Sequence, residues 1–385
     1  MEFEMIYIVY VVFVIIIVAL VLLVFLNRQG QGQGQKNIAF SKDALVLYYR
    51  ISDTLDYSAP SIPAIQPFLE QSSDHFKVTD SFQAANFIMF ETLNSIDILL
   101  QDIKLSSNTR FIYGLRGTDM MASKSMLAIT LKRNGYSYLL PNTYIMEGGA
   151  DSERFSREFN NGIYILKKNV QRQEGFLISD NKQEILDAFK NSDHVVCQEL
   201  LQDPLVVGGR KVNIRVYLLV VVKPDGTTNM YMYDDGFMYY TAEMWRPRTT
   251  ETGPNITTGY IDRQVYQENP LTTKDLIAHL GASQGKVLQD NMLATMGKLA
   301  SVYAPMFKSS NINYPGTKFL IYGCDVAPSS SLDVLIMEVN KGPDLGYKDD
   351  RDKQLKLGMV KDMLQIVGIG IGIGILAKSS FVKLI

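Results

Sequence analysis

Asp325 and Glu338 lie in two apolar runs, Lys318-Phe-Leu-Ile-Tyr-Gly-Cys-Asp325-Val and Leu335-Ile-Met-Glu338-Val-Asn340, on either side of a turn-forming stretch from Ser330 to Asp333. Paired as a hairpin about that turn, the runs set Asp325 opposite Glu338, and the two-residue strand period puts Asn340 on the Glu338 face. Opposed like charges destabilise a sheet, so the arrangement calls for a cation between them. Mg²⁺ suits such a place, because it takes oxygen ligands, prefers one or two carboxylates plus substrate phosphates, and accepts an Asn carbonyl. The same spacing is also compatible with two solvated carboxylates near strand ends.

Upstream, Gly209-Arg-Lys-Val-Asn-Ile-Arg215-Val-Tyr217 reads as a strand with Lys211, Asn213, Arg215 and Tyr217 on one face and Val212, Ile214 and Val216 on the other. An arginine in an apolar strand needs an anion, and its donor fork matches a phosphate or a carboxylate. Arg215 is therefore either a clamp on a transferring phosphoryl group or the partner of a core carboxylate. A third basic feature is Ile163-Tyr-Ile-Leu-Lys167-Lys168, followed by Arg172-Gln-Glu-Gly175. A lysine at a strand end before a loop resembles a phosphate grip, although one glycine makes a weak backbone cradle. His75, His194 and His279 are scattered and suggest neither a zinc site nor a His-based triad. Cys197 and Cys324, each within an apolar run, read as reduced buried thiols.

The elements that must position these groups are an α+β assembly. At 385 residues, with 46% hydrophobic and 20% charged residues, the chain can bury a large core and is expected to form two or three lobes. A formal charge of -2 excludes a generic basic nucleic-acid binder. One segment departs from the average: Met5 to Leu26 is apolar or aromatic throughout. At about 1.5 Å per residue it is long enough for a membrane-spanning helix. Glu2 and Glu4 precede it while Arg28 and Lys36 follow, which argues against a cleaved signal peptide and for a single-pass anchor with the body in the cytosol. Residues 1–4 form a short tail beyond the membrane, and the Gly/Gln-rich residues 27–42 form a tether.

Residues 43–135 alternate strand-like and helix-like pieces, with strands at Leu45–Tyr49, Asn86–Phe90 and Thr109–Tyr113 and helices at Ser61–Gln71 and Asp119–Asn134. Residues 136–205 and 206–385 are richer in strands, among them Val212–Val222, Met230–Tyr233, Lys318–Val326 and Asp333–Val339. Helices are expected at Lys182–Asn191, Gln284–Met306 and Leu355–Val367. The Gly-rich run after Val367 is too short for a second span and reads as a packed terminal element.

Taken in order, the Lys167 strand, Val195-Val-Cys-Gln-Glu-Leu200, Lys211-Val-Asn-Ile-Arg215, the Asp325 strand and Met337-Glu-Val-Asn-Lys-Gly-Pro343 resemble the tubulin–tyrosine ligase family of ATP-grasp enzymes. The resemblance runs from about Gly114 to Val367 and includes Lys124 ahead of Leu131-Lys-Arg133. It implies an ATP-grasp fold with an N-terminal α/β lobe (43–135), a central lobe (136–205) and a C-terminal lobe bearing a Mg site (206–385). It also implies an ATP-dependent ligase that phosphorylates a carboxylate and lets the amine of a free amino acid displace the phosphate, with a protein acceptor such as tubulin. By position, Lys167 resembles the phosphate-binding lysine, Arg172 the loop arginine, and Gln198, Glu199 and Leu200 the hinge beside adenine. Arg215 resembles the arginine that steadies the transferring phosphoryl group, and Asp325, Glu338 and Asn340 the Mg²⁺ ligands. Departures are Glu199 where a basic residue is usual, Asn213 where a carboxylate is usual, no arginine near Asp234-Asp-Gly236, and Thr258 in place of an asparagine. They leave a second expectation beside the ligase, a catalytically weak, membrane-tethered nucleotide- and tail-binding module. Asn255-Ile-Thr257 also forms a glycosylation sequon.

Overall fold

The computed structural model describes residues 45–48, 76–79, 84–89, 96–97, 100, 105, 107–169, 175–258, 263–347, 349–369 and 379–385, all within one compact unit, Leu45–Ile385. The apolar span 5–26, the tether 27–42, the helix expected at Ser61–Gln71, Arg172 and most of the Gly-rich run after Val367 lie outside these residues. Among the described residues no helix is long and apolar enough to cross a membrane.

The fold is mixed α+β, built on two sheets. Four short strands come first, β1 (Leu45–Tyr48), β2 (Phe76–Thr79), β3 (Phe87–Met89) and β4 (Phe111–Tyr113), followed by helices α1 (Asp119–Ala122) and α2 (Lys124–Arg133). The middle of the chain supplies β5 (Thr143–Ile145), α3 (Ser152–Glu158), β6 (Tyr164–Lys167), β7 (Leu177–Ser179), α4 (Lys182–Asn191) and β8 (Val196–Glu199). Then come β9 (Val206–Val207), β10 (Arg210–Val222), β11 (Thr228–Thr241), α5 (Thr252–Asn255), β12 (Thr257–Thr258), α6 (Arg263–Glu268) and α7 (Thr273–Asn311). The chain closes with β13 (Thr317–Pro328), β14 (Val334–Lys341), α8 (Asp350–Val367) and β15 (Phe381–Lys383).

The large sheet runs β12-β11-β10-β13-β4-β3-β1-β2, with β14 on β13, β15 on β11 and β9 on β10. Its β4 pairs parallel to β13, so strands from both ends of the chain share one ladder. The long central strands are β-branched and apolar on both faces, and Val212, Ile214 and Leu218 to Val222 are buried on β10. The second sheet, β5-β8-β6-β7, is antiparallel and comes wholly from residues 143–199. One of its faces packs Tyr144, Tyr164, Leu166 and Cys197 against Phe155, Ile185 and Phe189 of α3 and α4. By the strand alternation, Ile163, Ile165 and Lys167 point the other way.

Several expected elements differ in extent. The helix expected over Asp119–Asn134 is broken at Ser123, whose backbone is extended, into α1 and α2, and α8 starts at Asp350 rather than at Leu355. Strand β11 does not end at Tyr233 but runs on through Asp234-Asp235-Gly236 to Thr241. The carboxylates are used in place: Asp235 accepts from the Gly236 and Lys274 amides at 2.8 and 3.1 Å, and Asp234 pairs with Lys274. Gly236 has no substitute, because a Cβ there would run into the Arg215 carbonyl. Helix α7 begins at Thr273 rather than near Gln284. A capping box between Thr272 and Asp275 starts an earlier turn, and Gly281, at φ 78°, interrupts the helix before it resumes. The sequon asparagine is spent internally: Asn255 is buried and its Nδ2 donates to the Thr249 and Glu251 carbonyls at 2.7 and 2.8 Å.

The aromatic cluster of the small sheet makes a measurable demand on Phe155, which is fully buried with the rings of Tyr144, Phe159, Tyr164 and Phe189 centred 5.1 to 5.6 Å away. Phe155→Ala is expected to cost about 3 to 5 kcal/mol, read as a fall in the urea midpoint.

Candidate active site

The hairpin of β13 and β14 has the register that the two-residue period requires: Asp325 pairs with Glu338 and Gly323 with Asn340. A bulge follows immediately, between Asp325 and Val326. On the other side of β13, Arg215 pairs with Asp325. Paired residues of antiparallel strands share a face, so Arg215, Asp325 and Glu338 form one row across three strands. Asn340 donates Nδ2 to Glu338 at 3.1 Å and to Asp325 at 3.4 Å, closing a carboxylate–amide–carboxylate cluster.

Arg215 engages Asp325 with a fork, Nε to Oδ1 at 2.5 Å and Nη2 to Oδ2 at 3.0 Å, both side chains buried. Of the two readings open for Arg215, the structure displays the core pair. Its guanidinium also lies over the Tyr239 ring, 5.0 Å from the centroid. Gly323 makes the room: a Cβ there would stand 2.9 Å from the arginine's Cδ and Nη1 and 2.8 Å from Pro343. Burial pushes the Asp325 carboxyl up and Arg215 pulls it back, leaving it at about 6, so the pair is ionised at neutral pH.

Glu338 behaves oppositely. Burial raises it as well, but Lys124 and Lys167 outweigh that and hold it at about 2. Lys124 forms the direct ion pair, Nζ to Oε2 at 3.7 Å. Lys167 sits at the end of β6, on the face of the small sheet turned away from its helices, and donates to Gln198 Oε1 at 2.8 Å. Burial lowers its ammonium to about 8, with Glu338 and Asp325 favouring the charge and Lys124 opposing it. The small sheet thus presents Lys167 to the carboxylate row of the large one.

Gln198 is buried on β8 and fixed from the other side by its own donation to Thr143 Oγ1 at 3.0 Å. Glu199 accepts from Asn160 at 3.1 Å, and Leu200 is buried with Ile163 and Ile165. Asn213, on β10 two residues before Arg215, has a buried Oδ1 without a hydrogen-bond partner among the described residues. Lys211, on the same face, is 2% exposed, and burial, assisted by Lys167, lowers it to about 8. The structure therefore gathers Lys167, Arg215, Asp325, Glu338 and Asn340 around one cluster, sets Gln198 beside Lys167, and keeps Asn213 on the Arg215 face; Glu199 instead turns to Asn160.

Sequence reasoning left Lys124 without a role. A signal existed: Lys124 opens α2, whose first turn holds no acidic residue, and a cation there opposes the helix dipole. A lysine so placed needs a carboxylate from elsewhere, and Glu338 provides it.

As oxygen donors, Asp325, Glu338 and Asn340 fit a small hard cation, since Mg²⁺ needs only one or two carboxylates and fills its shell with phosphate and water. The amide turns its nitrogen toward Glu338, and a rotation of that amide by half a turn would bring the carbonyl there instead. Among the described residues no three His, Cys, Asp or Glu side chains stand close enough to form a metal cage.

Residues 116–371 match the model of the tubulin-tyrosine ligase family. The chain belongs to that family. Among curated proteins, it is 25% identical over 221 residues to a probable alpha-tubulin polyglutamylase, Ttll1, of Tetrahymena thermophila, an alignment covering 55% of this chain and 52% of that one. It is 23% identical over 249 residues to a probable tubulin polyglutamylase, ttll-9, of Caenorhabditis elegans, covering 60% and 57%. It is 22% identical over 258 residues to the human inactive polyglycylase TTLL10, covering 59% and 38%. The chain spans about half the length, or less, of these relatives. The family match includes Lys124, both sheets' site strands and the β13–β14 hairpin.

The field between the sheets can be read directly. Lys167, labelled at its ε-carbon, is expected to titrate near pH 8 in nuclear magnetic resonance. Glu338→Gln removes a negative charge that favours the ammonium, so the midpoint should move lower; an upward shift would contradict the geometry.

Proposed function

We propose that the chain is an ATP- and Mg²⁺-dependent ligase that joins an amino acid to a protein carboxylate through an acyl phosphate. The observation that carries the reading is the row Arg215–Asp325–Glu338 with Asn340 between the carboxylates, faced by Lys124 and Lys167. Two carboxylates and three cations meet here, and phosphoryl transfer is chemistry that uses both signs. Family membership and relatives named as tubulin polyglutamylases support the same reaction class and make a tubulin tail the first acceptor to try.

In this reading the nucleotide lies between the two sheets, as in an ATP-grasp fold, with adenine beside Gln198, Glu199 and Leu200 and phosphates toward Lys167. Lys211 and Asn213 line the β10 side, and Arg172 is the loop arginine that the family resemblance assigns to the phosphates. Asp325, Glu338 and Asn340 would hold Mg²⁺, which supplies charge neutralisation on the phosphates when bound. The chain's own part is positional. Lys167 is held by Gln198 so that its ammonium faces the phosphate chain, and its lowered proton affinity follows from burial. Arg215 stays protonated at any working pH, because Asp325 outweighs the cost of its burial, and with Nε and Nη2 fixed on Asp325 its remaining Nη1 edge would present charge to the transferring group without reorganisation. The apolar segment Met5–Leu26 would tether this body to the cytosolic face of a membrane.

A second reading is a nucleotide- and tail-binding module with little turnover. It draws on one contact: Arg215 occupies both oxygens of Asp325, leaving that carboxylate less free for a cation. One relative is named an inactive polyglycylase.

The ligase predicts Mg²⁺-dependent ATP consumption by the purified chain with glutamate or glycine and a tubulin-tail peptide, and mass added to the peptide. Glu338→Gln should abolish turnover with the fold intact by circular dichroism. Arg215→Lys, which keeps the charge and loses the fork, should lower kcat by about 10²-fold. Tail binding without turnover in the wild type, unchanged in Glu338→Gln, would select the second reading.

A further inference from the structure

Strand β14 carries two of the three candidate cation ligands, and among the described residues it pairs with β13 alone. Helices α1 and α7 and the turn Ser137–Leu139 pack against it. The pleat sends alternate residues to opposite faces, so Glu338 and Asn340 point one way while Lys341, paired with Tyr322, points the other. Both faces of this edge are tied to the same short helical segment. On the ligand face, Lys124 at the start of α2 reaches Glu338 at 3.7 Å. On the opposite face, Lys341 Nζ reaches Asp119 Oδ1 at the start of α1 at 2.5 Å, with the lysine side chain 10% exposed. Asp119 also acts on buried Tyr322, whose phenol is raised first by burial and then by that carboxylate.

Ser123 makes the crossing possible. It is the single residue between α1 and α2, its backbone is extended at φ -73° and ψ 127°, and its hydroxyl accepts the Met126 amide as the cap of α2. The chain therefore approaches β14 on one face through Asp119, steps past its edge at Ser123, and returns on the other face through Lys124.

We propose that Lys341 and Asp119 form a positioning pair that fixes this step and thereby holds Lys124 on Glu338, orienting the carboxylate for a divalent cation. Lys124 fixes Oε2 of Glu338, which leaves Oε1 turned toward Asn340 and Asp325, where the cation would lie once the Asn340 amide presents its carbonyl. Removing the remote pair frees the step, loosens Lys124, and leaves Glu338 Oε2 without its fixed partner. Partners that orient a metal ligand change its affinity by about 10- to 100-fold when lost. The inference rests on the Mg²⁺ reading of Asp325, Glu338 and Asn340, and deepens it by naming residues that touch neither cation nor substrate.

The test uses the full chain and four variants: Lys341→Met, Asp119→Asn, Lys124→Met and the Lys341→Met/Lys124→Met double. Half-saturation by Mg²⁺ in nucleotide binding, measured by calorimetry with ATP, is expected to rise about tenfold in each single variant. The double variant should rise no further, because both changes break one linkage. Lys341→Arg should restore the wild-type value, and melting temperatures should stay close to the wild type, since Asp119 is an exposed partner. A rise in Lys124→Met with none in Lys341→Met or Asp119→Asn overturns the pairing, as does full additivity in the double variant. If the wild type shows no Mg²⁺ dependence, the ligase reading fails by itself, and the clamp is then judged by hydrogen exchange. Faster exchange across Ser123–Leu127 in Lys341→Met, slowed again in Lys341→Arg, supports it, and unchanged exchange overturns it.

Discussion

Two carboxylates held opposite each other on neighbouring strands are the constraint around which this protein is arranged. Left alone, Asp325 and Glu338 would repel through a medium of low polarity, and one would take up a proton. The fold answers them separately. Asp325 receives a buried arginine fork from β10, and Glu338 receives lysines from a helix start and from a different sheet. The consequence is an asymmetric pair, one carboxyl pushed up to about 6 and the other held down to about 2. Gly323 and Gly236 follow from the same need, because the arginine and its backbone require space on both neighbouring strands.

The asymmetry also explains why the site needs two sheets. Lys167 belongs to the small sheet, and its influence on Glu338 exists only because residues 143–199 bring it over the hairpin of the large one. Burial weakens the ammonium, while the carboxylates it faces strengthen it. A group balanced in this way responds strongly to whatever charge enters between the sheets, a property useful to a phosphate chain and indifferent to a neutral ligand.

Much of the hairpin chemistry was legible in the sequence because it is local. The turn at Ser330 to Asp333 and the two-residue period determine that Asp325 meets Glu338 and that Asn340 shares its face. Arg215 was legible only as a choice between two anions, since its partner lies 110 positions away and strand order is not written in either segment. Lys124 lies further still from Glu338, and a lysine at a helix start looks like an exposed residue until the dipole argument is applied. The strand expected at Met230–Tyr233 was too short, because Asp234-Asp235-Gly236, residues of low strand propensity, continue it where α7 supplies Lys274 to satisfy the carboxylates. The long helix was misplaced at its start for a related reason: the capping box at Thr272 competes with Gly281, and tertiary packing keeps both segments.

The parallel pairing of β4 with β13 divides the molecule mechanically. Strands from residues 45–113 and from 206–383 belong to one sheet, joined where β4 pairs with β13 over Phe111–Tyr113, so sliding one group past the other would break that backbone pairing. The four strands between Thr143 and Glu199 share no ladder with it, and the chain enters and leaves them through short connections at Leu139–Asn142 and Leu200–Leu205. Joined to the large sheet by side-chain contacts and these two connections rather than by backbone pairing, the smaller sheet brings Lys167 to the carboxylate row across a boundary that no ladder crosses among the described residues.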